Sequence, residues 1–142
     1  AVDFMPFIGL ILTLGAGYRL AKFNIDTRQS DSFIGLPTPA MSLFVISLPI
    51  ILKYSESAFV HGILENTYFL IGVSVALTYL MNAELPLFSL KFKEYTFKKN
   101  IVKYLFILSS LLLIICLNVI SIPIIIILYV LISIIQNYFK PK

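Results

Sequence analysis

The chain has 142 residues, of which 59% are hydrophobic and 13% are charged, and its mean hydropathy is +0.96. A soluble domain needs more polar side chains than this to cover its surface, so we expect lipid to be the solvent for most of the surface. The net charge of +4 does not indicate nucleic-acid binding, because the Lys and Arg residues lie at the ends of apolar segments. The composition therefore excludes a soluble domain and a nucleic-acid-binding protein.

The first predicted membrane helix covers about residues 4–21. Small residues recur at every fourth position along one of its faces: Gly9, Thr13, Gly17 and Ala21. In lipid, small side chains let a neighbouring helix approach closely, and this contact replaces the hydrophobic drive that acts in water. We therefore expect this face to pack inside a helix bundle. A polar loop is predicted from residue 22 to residue 36.

Two further helices are predicted at about residues 38–52 and 64–81. Thr38 and Pro39 favour a helix start, because a threonine hydroxyl can cap free amides and proline fits the first turn. Residues 82–100 are too polar to continue in lipid and form a basic loop.

The last apolar stretch, residues 101–139, is too long for one membrane helix. A break near its middle is indicated by Asn118, Ser121 and Pro123. The sequence therefore predicts a helical hairpin with arms at about residues 101–117 and 122–139.

These segments predict an all-α fold, a polytopic transmembrane bundle with about five membrane helices. If loops alternate across the membrane, the basic residues sort by side. One side receives only Lys53, and the other receives Arg19, Lys22, Arg28, Lys91, Lys93, Lys98, Lys99, Lys103, Lys140 and Lys142. The positive-inside rule then places the Lys22 loop, the basic loop and the C-terminus in the cytoplasm.

Three titratable residues lie at the ends of the third predicted helix. His61 and Glu65 are four residues apart and predict a polar pair at the membrane interface. They do not indicate a metal site, because no Cys or second carboxylate lies near them in sequence. Glu84 lies at the opposite end of the helix, where headgroups and water can solvate it.

Two sequence segments resemble a known enzyme family. Arg19-Leu-Ala-Lys-Phe-Asn24 is followed by Phe33-Ile-Gly-Leu-Pro-Thr-Pro-Ala40. Together they are similar to the "RLARFN" and "FxGLPTPA" that follow the fourth membrane helix of bacterial phosphatidylserine synthases. These enzymes are CDP-diacylglycerol-serine O-phosphatidyltransferases of the CDP-alcohol phosphatidyltransferase class I family. Lys22 stands where the family has arginine. The similarity continues through Leu80-Met81, Leu85-Pro86 and Lys91-Phe92.

The resemblance implies an enzyme of phospholipid biosynthesis in the bacterial inner (cytoplasmic) membrane. Its substrates would be CDP-diacylglycerol and L-serine, and its products phosphatidylserine and CMP. The family uses a divalent metal, Mg or Mn, held by aspartates of the signature D-G-x2-A-R-x8-G-x3-D-x3-D. The resemblance also implies that the protein forms a homodimer.

The aspartate signature has no match in residues 1–142. Asp26 and Asp31 are the nearest candidates, but neither is followed by the Gly or Ala-Arg that the signature requires. We therefore expect residues 1–142 to be the C-terminal part of the membrane domain, with the catalytic motif upstream. On this expectation the chain holds no catalytic or metal-ligating residue, and it is inactive by itself.

The substrate-binding candidates are Arg19, Lys22 and Asn24. Arg19 and Lys22 lie about one turn apart at a cytoplasmic helix end, where both can face an anionic headgroup or the serine carboxylate. Asn24 could add a polar contact. The alternative is that Arg19 and Lys22 only anchor the helix by reaching lipid phosphates.

Two other functions are open from the sequence. The first is a related enzyme that uses glycerol 3-phosphate or another alcohol in place of serine. An assay of the full-length protein with serine and with glycerol 3-phosphate separates these two hypotheses. The second alternative is a non-enzymatic transporter subunit or structural membrane protein. Transporters place polar or broken helices at mid-membrane, and these predicted spans contain few polar residues there.

Overall fold

The computed structural model describes residues 9–25, 33–87 and 100–139. Within these ranges six α-helices follow in chain order: α1 (Leu10–Ile25), α2 (Thr38–Tyr54), α3 (Ala58–Leu64), α4 (Thr67–Asn82), α5 (Ile101–Leu117) and α6 (Ser121–Phe139). Two short antiparallel strands, β1 (Phe33–Ile34) and β2 (Pro86–Leu87), pair with Phe33 opposite Leu87. The predicted all-α class is confirmed for the described residues, and the two strands only join loops.

The hairpin is formed by α5 and α6. A short 3-10 turn, Asn118–Ile120, connects them, and Asn118 has a positive φ of 53° that reverses the chain. The rings of Phe106 and Tyr129 lie 5.6 Å apart, which requires the two arms to run antiparallel. At 1.5 Å per residue the arms are about 26 and 28 Å long, close to the roughly 30 Å hydrocarbon core of a bilayer.

One run among the described residues is long and apolar enough to cross a membrane, namely Ile101–Phe139. Only 6% of its most apolar stretch is buried inside the protein. A second candidate exists if α3 and α4 together form one bent span. The helix α2 is apolar but shorter, with 17 residues.

The helix ends gather at two opposite ends of the bundle. At the first, which we call the strand end, β1 and β2 pair, and the side-chain amide of Asn137 near the end of α6 donates to the Pro86 carbonyl at 2.6 Å. At the second, the tip end, a cavity of about 210 Å³ lies between the end of α2, at Tyr54 and Ser55, and Asn118 of the hairpin turn. The strand end and the tip end both carry polar side chains, and the helix segments that connect the two ends are apolar.

The third predicted helix, residues 64–81, corresponds to α4, which starts three residues later. The short helix α3, which was not predicted, precedes α4 at a bend of 62°. The cause is local, since the Asn66 side chain accepts hydrogen bonds from the amides of Tyr68 and Phe69 and caps a new helix. Ser57 likewise accepts from the Val60 amide at the start of α3. The segment between the second and third predicted helices is therefore partly helical.

Other predicted boundaries also differ from the structure. The helix α1 continues to Ile25, so Lys22 is helical and not in a loop; residues 1–8, where the predicted start lies, are outside the described ranges. Pro37 and not Thr38 occupies the cap position of α2, and no side chain caps that helix. Pro39 lies in the first turn, as predicted. Of the predicted basic loop, residues 88–99 lie outside the described ranges.

The core lies between α2, α4 and α6 and is closed at the strand end by Leu36 and Leu87. Both of these leucines are 1% exposed. The remaining buried members of this cluster are Met41, Phe44, Leu48, Ile51, Leu64, Leu77, Met81 and Val130. Large apolar side chains on the outer faces of every long helix stay exposed, which a protein in water would have to cover.

The helix α1 packs on α4 through a face other than the predicted one. Gly9, Thr13, Gly17 and Ala21 are all exposed. Gly15 is buried against α4, where an added Cβ would lie 2.6 Å from the Thr78 methyl carbon. A repeat of small residues at every fourth position therefore does not identify the packed face of α1. The packed residue, Gly15, has no small residue four positions before or after it.

We predict that Gly15→Ala lowers the free energy of unfolding by about 1–3 kcal/mol, the usual cost of overpacking. Thr78 cannot turn its methyl away cheaply, because its hydroxyl donates to the Ser74 carbonyl at 2.8 Å. Thermal unfolding in detergent measures the effect. Gly17→Ala is the matched control, since nothing lies within 4 Å of its added Cβ.

The double variant Gly15→Ala, Thr78→Ser removes the obstructing methyl but keeps the hydroxyl, so it should recover most of the lost stability. Equal stability of Gly15→Ala and Gly17→Ala, or no recovery in the double variant, would contradict this packing.

Candidate functional site

The strand end is built on the C-terminus of α4. The last carbonyls of a helix have no intrahelical partner, and here the Leu36 amide donates to the Leu80 carbonyl at 2.8 Å. The adjacent Gly35 amide donates to the Leu85 carbonyl, also at 2.8 Å. These bonds bring the segment before α2 against the segment after α4, two of the regions that carry the family resemblance.

Gly35 is required at this position for two reasons. Its φ of +81° lies in the left-handed region, which side chains with a Cβ rarely adopt. An added Cβ would also collide with the Met81 carbonyl oxygen and lie 3.1 Å from the carbonyl oxygens of Leu80 and Ala83. Gly35 therefore shapes the loop and lets it approach the end of α4.

The predicted site residues Arg19, Lys22 and Asn24 all lie in the last two turns of α1. Arg19 and Lys22 are partly buried, and Asn24 is exposed. The Arg19 Nε and Nη2 atoms are shielded from solvent. Burial lowers the local dielectric, so an anion reaching this guanidinium would be held more strongly than at an open surface.

Lys22 is held by a residue distant in sequence. Its Nζ lies 2.6 Å from Oε1 of Glu84, which follows α4. The Asn82 side-chain amide adds a second tie between the helices, donating to the Gly15 carbonyl at 3.2 Å and to the Thr78 carbonyl at 3.1 Å. These bonds show that α1 and α4 run in the same direction, with the end of α4 beside Gly15 of α1.

Sequence reasoning missed Asn82 and Glu84 as parts of this cluster. Glu84 was expected to be solvated by headgroups and water, and its side chain is 55% exposed, but it also binds Lys22. Residues 22 and 84 are 62 positions apart, and no local pattern pairs them. The side chain of Asn24 makes no hydrogen bond within the described residues, so the structure does not join it to the cluster.

The described residues do not fit a divalent metal. Their carboxylates are Glu56, Glu65 and Glu84, of which the first two lie near the tip end and the third at the strand end. No three His, Cys, Asp or Glu side chains come together in residues 9–25, 33–87 and 100–139. Asp26 and Asp31 lie outside these ranges. No metal-dependent step is therefore assigned to the described residues.

Buried hydroxyls in the apolar helices serve the helices themselves. Ser47 donates to the Phe44 carbonyl at 2.6 Å and Ser133 to the Tyr129 carbonyl at 2.9 Å, and Ser121 donates to the Asn118 carbonyl. Such bonds satisfy the hydroxyl where no water is near. These serines are therefore structural and not nucleophiles.

A cavity of about 110 Å³ lies between α2, α4 and α6, beside Leu36 and Phe44. Its lining is apolar throughout, with Leu80 and Val130 among its walls. The cavity therefore offers no polar partner to a charged group.

The single histidine belongs to the tip end. His61 Nε2 lies 2.7 Å from the Ser55 carbonyl oxygen, and Nδ1 lies 3.4 Å from a Glu65 carboxylate oxygen. The predicted His61–Glu65 pair is thus confirmed. Both partners are acceptors, so only the protonated ring can donate to both. The Ser55 bond first, and then the Glu65 bond, raise the pKa of His61 above its ordinary value.

No protein-family model matches the chain, and no curated protein matches it.

We predict that His61 titrates above about 6.5, its ordinary pKa. Because the folded-state pKa is raised, the stabilisation is complete below the unfolded-state value and is lost as pH rises through the folded-state value. Proton NMR of the imidazole in detergent measures it without assignment, since the chain has one histidine.

Glu65→Gln should reduce the shift without abolishing it, because the Ser55 carbonyl is the larger cause. Titration of the wild-type ring at or below 6.5 would contradict the bridging geometry.

Proposed function

We propose that the full-length protein is a CDP-diacylglycerol-serine O-phosphatidyltransferase, an integral membrane enzyme that makes phosphatidylserine and CMP. The observation that carries the proposal is the meeting of segments at the strand end. Lys22 of the first resembling segment binds Glu84, and Gly35 and Leu36 of the second bind the backbone around Leu80 and Leu85. Segments that resemble one family for reasons of chemistry are expected to converge on one site.

The proposal places the chain in the bacterial inner membrane as a multi-pass helical bundle with its strand end in the cytoplasm. The exposed apolar faces of the hairpin support a lipid setting. The positive-inside rule supports the orientation, because Arg19 and Lys22 belong to the strand end and Lys53 to the tip end.

In the proposed reaction the serine hydroxyl oxygen forms a bond to the phosphatidyl phosphorus, and the phosphoanhydride bond to CMP breaks. The hydroxyl proton and the developing charge on CMP need a base and counter-charges. The resemblance implies aspartates and a divalent metal for these roles, and the aspartate signature has no match in residues 1–142. What the described residues supply is cationic binding of the substrates at one cytoplasmic end.

Arg19 and Lys22 have different roles in this proposal. The guanidinium is planar and can donate two parallel hydrogen bonds to phosphate or carboxylate oxygens. The ammonium of Lys22 is a point charge without this fork. Arg19 therefore orients an anionic substrate group, and Lys22 adds attraction. Asn24, exposed in the last turn of α1, is available to a headgroup.

We predict that Arg19→Ala in the full-length protein lowers kcat/KM by roughly 10- to 100-fold, the effect of losing a charge-assisted hydrogen bond of about 1.5–3 kcal/mol. Arg19→Lys should retain part of the activity, because the charge remains and the fork is lost. CMP release from CDP-diacylglycerol and serine measures turnover, and membrane fractionation checks insertion.

The matched control is Lys53→Ala, a basic residue at the tip end that should not affect turnover. Unchanged turnover in Arg19→Ala would show that this arginine only anchors α1. Turnover with glycerol 3-phosphate in place of serine would assign the related reaction.

A further inference from the structure

The tip-end cavity, about 210 Å³ in volume, lies beside the turn that joins α5 and α6. Its lining combines apolar side chains of α2 and the hairpin turn with three polar residues, Tyr54, Ser55 and Asn118. Because the hairpin arms are about as long as the hydrocarbon core is thick, the turn and the cavity lie at headgroup level. The cavity is therefore within reach of lipid headgroups, and its mixed lining suits a ligand with apolar and polar parts.

Asn118 has a backbone conformation that favours glycine. Its φ is 53° and its ψ is −123°, and no other non-glycine residue in the described ranges has a positive φ. A side chain in this conformation carries a cost that glycine avoids. The backbone of Asn118 bonds to the Ile114 carbonyl and the Ser121 hydroxyl, but its side chain makes no hydrogen bond within the described residues. The cost is not offset inside the protein, which indicates that the side-chain amide serves a ligand in the cavity.

Two opposite charges lie on either side of Tyr54 and Ser55 in the sequence. Lys53 and Glu56 are both exposed, and neither forms an ion pair within the described residues. The chain leaves the helical conformation at Ser55, where φ is −86° and ψ is 133°, so Lys53 and Glu56 do not share a helix face. The Lys53 Nζ atom lies 5.5 Å from the centroid of the Tyr54 ring, which lines the cavity. A cation and an anion that do not neutralise each other thus flank the cavity-lining residues.

These charges select among lipid headgroups. A headgroup with one negative charge and no cation would pair with Lys53 but would be repelled by Glu56. A quaternary ammonium donates no hydrogen bond and binds best to an aromatic face, and the Tyr54 ring already carries the Lys53 ammonium. A primary ammonium can donate to the Glu56 carboxylate and to the Asn118 amide oxygen, while Lys53 binds the phosphate of the same headgroup.

We propose that the tip-end cavity binds the headgroup of phosphatidylethanolamine, a zwitterionic lipid with a primary ammonium. The headgroup is held by Lys53, Glu56 and Asn118, and the acyl chains lie along the exposed apolar faces of the hairpin. This lipid site lies at the opposite end of the bundle from Arg19 and Lys22, so it does not depend on the proposed reaction.

The test measures lipid binding to the purified full-length protein by native mass spectrometry in detergent. Titration with phosphatidylethanolamine, phosphatidylcholine or phosphatidylglycerol, all with the same acyl chains, gives a Kd for each lipid. The wild type should bind phosphatidylethanolamine roughly fivefold more tightly than the other two, the factor that an exposed ion pair can supply. Equal Kd values for the three lipids would overturn the inference.

Asn118→Gly is the most informative variant, because glycine relaxes the backbone and removes the side-chain amide. Thermal unfolding without added lipid should show equal or higher stability, whereas phosphatidylethanolamine should bind roughly 2- to 10-fold more weakly, as expected for a lost hydrogen bond. Glu56→Gln should bring the Kd of phosphatidylethanolamine close to that of phosphatidylcholine. Glu65→Gln is the matched control with unchanged lipid preference, because it removes the same charge from a tip-end carboxylate that pairs with His61.

Two outcomes would contradict the site itself. If Asn118→Gly and Glu56→Gln bind the three lipids as the wild type does, Asn118 serves only the turn, and the inference is overturned. If soluble glycerophosphoethanolamine displaces the lipid at a similar concentration, the site takes a free headgroup compound and not a lipid. CMP release is not a readout here, because no tip-end residue belongs to the proposed substrate site, so either proposal can fail without the other.

Discussion

The capping of α4 by the backbone amide of Leu36, next to Gly35, is the interaction on which the rest of the structure depends. It satisfies a helix-end carbonyl and forces the chain through a left-handed glycine. As a result β1 pairs with β2, Leu36 and Leu87 enter the core, and α2 starts beside the end of α4. The same placement leaves Glu84 next to the last turns of α1. A backbone cap therefore positions the charged cluster that we propose to bind substrate.

The distribution of polar groups separates two ends with different chemistry. The strand end brings together side chains from α1 and from the segment after α4, and its cations outnumber its anions among Arg19, Lys22 and Glu84. The tip end is closed locally by His61, which bridges residues only six and four positions away. The first arrangement joins residues distant in sequence, whereas the second links residues of a single connection. This difference is the reason for placing the proposed substrate site at the strand end.

The sequence predicted those helices and turns that depend on a single signal from residues close together in the chain. Unbroken apolar runs indicated the long helices, and Asn118 with Pro123 indicated the hairpin turn. The short helix α3 and the bend before α4 were missed, although the Asn66 cap is a local signal, because residues before 64 were predicted as a connection and not as a helix. The packed face of α1 was predicted wrongly, since which glycine meets Thr78 is decided by the partner helix. The Lys22–Glu84 pair joins residues that only the folded chain brings together, so the sequence did not predict the counter-charge of Lys22.

The most direct test of this account is a crosslink between Lys22→Cys and Glu84→Cys in native membranes, with Cys116 replaced by serine because it is exposed. A short thiol-reactive crosslinker should join the two positions, and Gly35→Ala should strongly reduce the yield by opening the cap on α4. A Lys53→Cys, Glu84→Cys pair, at opposite ends of the bundle, should not react. Failure of the first pair to crosslink, or an equal yield with Gly35→Ala, would contradict the claim that the glycine cap assembles the charged cluster.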